Sequence, residues 1–508
     1  MTRRRTLARL AVVATVATAT TVGSGTIVGS GTAVAAATTV SGGAADAVTA
    51  AAGGGTAGTT AAAGGSETAG AASARPSGGT PCLPDSPARP SCVSGTLADG
   101  TPYEFVVPAR WNGTVVVALD FAGSGPDEPL TARLLADGVA RGGTSRAITG
   151  WDIRSAIDNQ AEALARFEQA YGPAREAIAS GTSMGGFVAA GAAQVHPHAF
   201  DAAVPMCGGL GGSVAQWNQK LDTLFVLERL IAPGLPVIDI PEDIESARKA
   251  WIDALAAAQQ TPEGRARIAL AAAIGQLPAW GRNPDGSTPP PPDSRDAGAL
   301  EQGAYLALAG GPLPYVGQAM SSRRQIMAVV GGNPSWNTGV DYTKQLRLAD
   351  PALRHAVGAL YRAAGLELAA DLKNLAAAPR IAADPDAVMR FSRGIVLDGE
   401  LRMPVLTLSG TGDQISTVAQ QQSYGEKVRR AGANSLLRQT YTETVGHCDF
   451  SPAEQQAALT TMLDRLRSGH WPATSARAMN ARAAALGSDP APRYVSFRPP
   501  RFNRPYPR

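Results

Sequence analysis

The sequence predicts an α/β protein, a mostly parallel sheet flanked by helices with a large helical block inserted into it. Three observations predict this. Short β-branched or apolar runs alternate with helical stretches from about residue 92 to 207. The alternation resumes at Met403 and continues to about residue 466. Between them, from Gly208 to about Arg393, strand signals vanish and apolar positions recur at helical spacing, over a length too great for a loop.

The N-terminus reads as an export signal over residues 1–35. Arg3-Arg4-Arg5 forms a charged start, Leu10 to Val22 an apolar stretch, and Ala33-Val34-Ala35 a cleavage site. Arg4-Arg5-Thr6-Leu7 also resembles a twin-arginine signal. Residues 36–80 are almost entirely Gly, Ala, Thr and Ser, too poor in large apolar side chains to build a core, and read as a flexible linker. The net charge of +3 over 508 residues is no footprint for nucleic acid or an anionic surface. After the N-terminus no apolar run is long enough to span a bilayer, so no stable membrane anchor is expected.

The core is expected over 81–209 and 395–470. Cys92 to Val107 reads as a hairpin turning at Ala98-Asp99-Gly100, and Gly113 to Asp120 as a strand buried on both faces. Leu130 to Gly138 is expected to be helical, Gly142 to Thr149 a strand and Asp158 to Tyr171 an amphipathic helix. Arg175 to Ser180 then forms a strand, Gly186 to Val195 a helix, and Ala202 to Cys207 the next strand. Within the expected insertion, a helical cap over 210–394, helices are expected at 215–230, 244–258, 264–277 and 351–377. A Pro-rich connector at 287–292 interrupts them. Strands follow at 403–409 and 435–441, with a helix at 418–431 between them and one from Ser451 to Leu466 after them. Ser451-Pro452-Ala453-Glu454 carries the cap and first-turn residues that start this last helix. Residues 471–508, rich in Arg and Pro, read as an extended arm on the domain or as a disordered tail.

The chemistry centres on Gly181-Thr182-Ser183-Met184-Gly185. With a strand before it and a helix after it, this G-x-S-x-G holds a serine hydroxyl at the carboxyl edge of a parallel sheet. The glycines leave room for a strained turn. A serine nucleophile needs a base, and the base an orienting acid. Of 5 histidines, only His447 follows a strand at that edge. Asp413 follows the strand ending at Ser409 and occupies the same edge. Asp449 is too close to His447 in sequence to orient it, and Asp398 precedes its strand. There is no H-E-x-x-H, no C-x-x-C and no phosphate-binding loop, so no metal or cofactor is expected.

The order Ser183, Asp413, His447 is that of the α/β-hydrolase superfamily. The sequence resembles secreted bacterial serine α/β hydrolases, loosely the prolyl-oligopeptidase-like group. The matching stretches are Gly181 to Gly186, Pro205 to Gly209, Gly410 to Asp413 and Gly446 to Phe450. The resemblance covers about 90–210 and 395–470. It implies an acyl-enzyme mechanism on a small-molecule or polymer-derived ester or amide. Carboxylesterase activity is the first expectation, peptidase or amidase the second and extracellular acyl transfer the third. In the position after the third strand the superfamily carries His-Gly, whereas this chain carries Phe121-Ala122 and then Gly123. The oxyanion donors implied are Met184 N–H and Gly123 N–H, with Ala122 the alternative. The 4 cysteines, Cys82, Cys92, Cys207 and Cys448, allow three pairings. Closing the short loop between Cys82 and Cys92 leaves Cys207 with Cys448. Tannase-like and feruloyl-esterase-like enzymes bridge the Cys after the histidine to a Cys before the serine. Here Thr182 stands before the serine, and Cys207 is the residue left to pin the histidine loop.

Overall fold

The computed structural model describes residues 91–122 and 128–507. The expected signal, linker, Cys82 and Gly123 lie outside the described residues. The strands are β1 (Ser91–Thr96), β2 (Pro102–Val107), β3 (Thr114–Leu119), β4 (Ala140–Thr144), β5 (Glu176–Thr182), β6 (Ala202–Met206), β7 (Val405–Gly412), β8 (Leu437–Val445) and β9 (Tyr494–Val495). They form one sheet in the order β1-β2-β4-β3-β5-β6-β7-β8-β9. β4, β3, β5, β6, β7 and β8 run parallel, with antiparallel strands added at both edges. This is the α/β-hydrolase arrangement that the resemblance implied.

Helices cover both faces, as buried parallel strands require. On one face α2 (Ile153–Tyr171), α3 (Met184–Val195) and α13 (Val418–Arg430) bury Ile157, Phe167, Phe187, Tyr424 and Val428 against Val115, Val117 and Val405. On the other, α1 (Pro129–Ala136), α14 (Pro452–Ser468) and α15 (Ala476–Ala485) bury Leu130, Leu134, Leu459, Met462 and Met479 against Val116, Ile178, Val204 and Leu406. Side-chain alternation along each strand therefore feeds two separate cores.

Between β6 and β7 the chain forms α4 (Ser213–Leu230), α5 (Ile244–Ala258), α6 (Pro262–Ile274), α7 (Ala297–Ala309), α8 (Tyr315–Val330), α9 (Tyr342–Arg347), α10 (Pro351–Ala363), α11 (Leu368–Ala377) and α12 (Pro385–Gly394). Phe391 of α12 packs in a smaller cluster with Val214, Trp217 and Ile326, while α4 to α11 share a core of their own around Leu224, Trp251, Leu270, Tyr315 and Val357. Ile415, from the loop after β7, is embedded in that core. The block is thus joined to the sheet by apolar packing as well as by the chain.

Several local expectations differ from the structure. β4 ends at Thr144 because the chain turns there to bring Arg146 back onto the Asp120 carboxylate, through Nε at 2.7 Å. α2 begins at Ile153 because the Asp152 side chain accepts from Ser155 N at 3.2 Å and caps it. The single helix expected over 351–377 is two, broken at Gly365, whose φ of 67° is left-handed. The C-terminal arm is not extended throughout. It forms α15, capped by Ser475, before β9 adds to β8.

The end of the arm binds the inserted block. Phe502 is buried, Gln276 Nε2 donates to Arg501 O at 2.8 Å, and Arg504 lies 3.5 Å from Asp222 of α4. Burial raises the Asp222 carboxyl to about 6, against the opposing pull of Arg504 and the Tyr342 hydroxyl. The folded protein therefore holds a proton that the unfolded chain releases between pH ~4 and ~6, and the contribution of Asp222 to stability falls as pH rises through that window. Arg504→Ala is expected to destabilise the fold by about 3–5 kcal/mol at pH 7.5, because it strands a buried carboxylate. The loss should be smaller at pH 5, where Asp222 can protonate. Denaturant unfolding at the two pH values checks both the size and the sign.

Candidate active site

Ser183 occupies the turn between β5 and α3 with φ 56° and ψ −121°, outside the regions L-residues favour. Two close approaches hold it there. Gly181 has φ 151°, and a Cβ on it would lie 2.7 Å from Gly185 C. A Cβ on Gly186 would lie 2.3 Å from Met206 O, so only glycine lets α3 pack this tightly onto β6. Ser183 N–H donates to Met206 O at 3.1 Å and lies 3.2 Å from Cys207 Sγ.

β7 and β8 bring the other two side chains to the same edge. His447 Nε2 is 2.7 Å from Ser183 Oγ, and His447 Nδ1 is 2.9 Å from both carboxylate oxygens of Asp413. An ionised carboxylate only accepts, so Nδ1 carries the proton and Nε2 presents its lone pair to the serine hydroxyl. Asp413 is 1% exposed, and its Oδ1 also accepts from Ile415 N at 2.8 Å and Ser416 N at 2.9 Å. Those two bonds fix the carboxylate before the histidine reaches it. The remaining four histidines are elsewhere: His196 pairs with Asp158, His198 lies in the turn after α3, His355 lies in α10, and His470 follows α14.

Cys207 and Cys448 form a disulfide with a Cα–Cα distance of 5.4 Å. One sulfur adjoins Ser183 N, and the other lies 3.5 Å from His447 Nε2. Asp413, His447 and Cys448 each bring a potential ligand atom within 4.8 Å of the others. They make a poor metal site, since a disulfide sulfur supplies no thiolate and the other two groups are bonded to each other. Met184, the first residue of α3, offers a backbone N–H with no intrahelical acceptor. A cavity of about 300 Å3 adjoins the elbow, walled by Phe121, Arg141, Thr182, Cys448 and Gln455 among others.

Other contacts at the site carry no sequence signature. Arg282, from the inserted block, donates to Val445 O at 3.1 Å and pairs with Asp449 at 3.1 Å. Arg493, from the C-terminal arm, pairs with the same Asp449 at 3.0 Å and with Glu454 at 2.8 Å. The loop bearing His447 is thus held from the insertion, from the arm and by the disulfide. Lys220 of α4 lies buried behind the turn bearing Asp413.

No family model matches the chain. The o-phthalyl amidase of Xanthobacter agilis is 31% identical to it over 449 residues, 81% of this chain and 95% of that protein. Among solved structures, feruloyl esterase B from Aspergillus oryzae aligns at 12% identity with a TM-score of 0.39, over 76% of this chain and 82% of that one. Tannin acyl hydrolase from Aspergillus niger aligns at 15% identity with a TM-score of 0.36, over 76% and 79%.

The position of the disulfide gives a prediction. A bridge closing so long a loop stabilises by on the order of 5 kcal/mol in the chain-entropy account. Its sulfurs also touch both the serine backbone and the histidine ring, and a reacting group displaced by about 1 Å can lose roughly a hundredfold in rate. Turnover should therefore fall, by about tenfold or more, at reductant concentrations that leave the circular dichroism unchanged. Full activity in folded protein with both thiols alkylated would contradict this.

Proposed function

The chain belongs to the family of the o-phthalyl amidase of Xanthobacter agilis, and on that premise we propose that it is a serine hydrolase cleaving an amide bond through an acyl-enzyme. The observation that carries the reading is the unbroken hydrogen-bond chain from Ser183 Oγ through the His447 ring to Asp413. In the proposed mechanism His447 Nε2 takes the Ser183 proton as Oγ attacks the carbonyl. Asp413 holds the tautomer and stabilises the imidazolium. Met184 N–H and a donor at Ala122 or Gly123 receive the oxyanion. His447 then gives its proton to the departing amine, and water repeats the sequence to release the acid.

Amide cleavage is preferred over ester cleavage because the relative is an amidase. The leaving amine needs a proton, and a histidine with its Nε2 on the serine is placed to deliver one. The inserted helices are proposed as a cap, resting on the Arg282 contacts to the His447 loop and the burial of Ile415. Secretion is proposed from the N-terminal sequence and from a disulfide, which persists in oxidising compartments. Among the described residues no helix is long and apolar enough to cross a membrane.

A fluorophosphonate should label Ser183, and Ser183→Ala should abolish labelling and lower kcat by several orders of magnitude. Labelling that survives in the variant rejects the nucleophile. A panel of o-phthalyl amides, simple aryl amides, p-nitrophenyl esters and peptides should show turnover of the first class. Turnover of esters alone rejects the amide reading and leaves the nucleophile standing.

A further inference from the structure

Lys220 is 2% exposed on α4, a helix whose residues 213–227 are all buried. Among the described residues no carboxylate reaches its ammonium at ion-pair distance. Nζ donates one hydrogen bond, to Ile415 O at 3.0 Å, and lies over the rings of Tyr315 at 4.8 Å and Trp217 at 5.6 Å. An ammonium buried with a single neutral acceptor lowers stability, and ring faces offset only part of that. The cost is incurred beside the candidate triad.

The acceptor explains why. Ile415 O and Ser416 N belong to one peptide group. Ser416 N–H donates to Asp413 Oδ1 at 2.9 Å, and Asp413 holds His447 Nδ1 at 2.9 Å. A cation on the carbonyl end of a peptide polarises it and strengthens the bond given by its N–H end. We propose that Lys220 is a positioning residue for the Asp413–His447 pair, acting through the Ile415–Ser416 peptide group. The proposal rests on the serine-hydrolase reading above. It extends the hydrogen-bond chain from Ser183 through the sheet edge into the first helix of the insertion.

The charge has consequences for pH. The groups acting on Lys220 are Asp413, which favours its protonation, and Arg323 of α8, which opposes it, while Tyr315 of α8 lies beneath it. Burial, the larger influence, lowers the ammonium from 10.5 to about 7. Below that value Lys220 is charged. It then polarises the Ile415–Ser416 peptide group most strongly. Above it the amine still donates a hydrogen bond but its charge is gone. The unfolded chain keeps its proton to about pH 10, so the stability penalty of Lys220 is full below pH ~7 and is relieved as pH rises.

The test is the second-order rate of fluorophosphonate attack on Ser183 in wild type, Lys220→Met and Lys220→Gln, at pH 6 and pH 8.5, with Tm measured alongside. Lys220→Met should react roughly tenfold to a hundredfold more slowly at pH 6, with the gap narrowing at pH 8.5. Lys220→Gln, which keeps a neutral donor, should fall between. Neither variant should lose Tm at pH 6. Equal rates, or the same ratio at both pH values, overturn the role of Lys220 while leaving the nucleophile intact. Loss of the folded state in both variants assigns Lys220 to the fold alone and overturns it too. Absence of wild-type labelling overturns the serine reading with it.

Discussion

The constraint on which the rest of the structure depends is the strained backbone of Ser183. A residue with φ 56° and ψ −121° costs energy, and stays there only when its surroundings leave no alternative. The close packing of α3 on β6 at Gly186 supplies that compulsion. Other non-glycine residues with positive φ stand at the same edge: Asp120 after β3, Cys207 after β6 and Cys448 beside His447. The ends of three parallel strands and the histidine loop are thus each bent to serve one point. The two apolar cores beneath hold the strands that carry these bends.

The hydrogen-bond chain is assembled from distant parts of the polypeptide. Ser183 and His447 are 264 residues apart, and Asp413 is 34 from His447. What brings them together is the parallel part of the sheet, in which β5, β7 and β8 all end on the same side. The insertion and the arm then act on the finished edge. Arg282 and Arg493 converge on Asp449 from two directions, and the arm's Arg504 reaches α4.

Much of the sheet was legible because its determinants are local. A β-branched run such as Thr114–Leu119 and a glycine-flanked serine before a helix announce themselves within a few residues. The three side chains now found in hydrogen-bond contact were singled out by their place after strands, and Cys207 and Cys448 by elimination. What stayed hidden is set by tertiary partners. β4 stops where Arg146 finds Asp120, and α7 reads poorly as a helix because it carries glycine. Gly303 is there because a Cβ would lie 1.9 Å from Ala279 O. Lys220, Arg282 and Arg493 belong to no motif, and each gains its meaning only from the carbonyl or carboxylate it meets.

The disulfide spans 241 residues, from just before the first helix of the insertion to the residue after His447. The insertion is therefore a segment of a closed covalent ring whose clasp lies between Ser183 and His447. A peptide bond cut anywhere inside that ring, in the Pro-rich connector for instance, would leave one molecule rather than two. A cut among the inserted helices would leave the chain ends beside Ser183 and His447 tied together. Covalent closure keeps the two ends of the insertion in register whatever is cut between them.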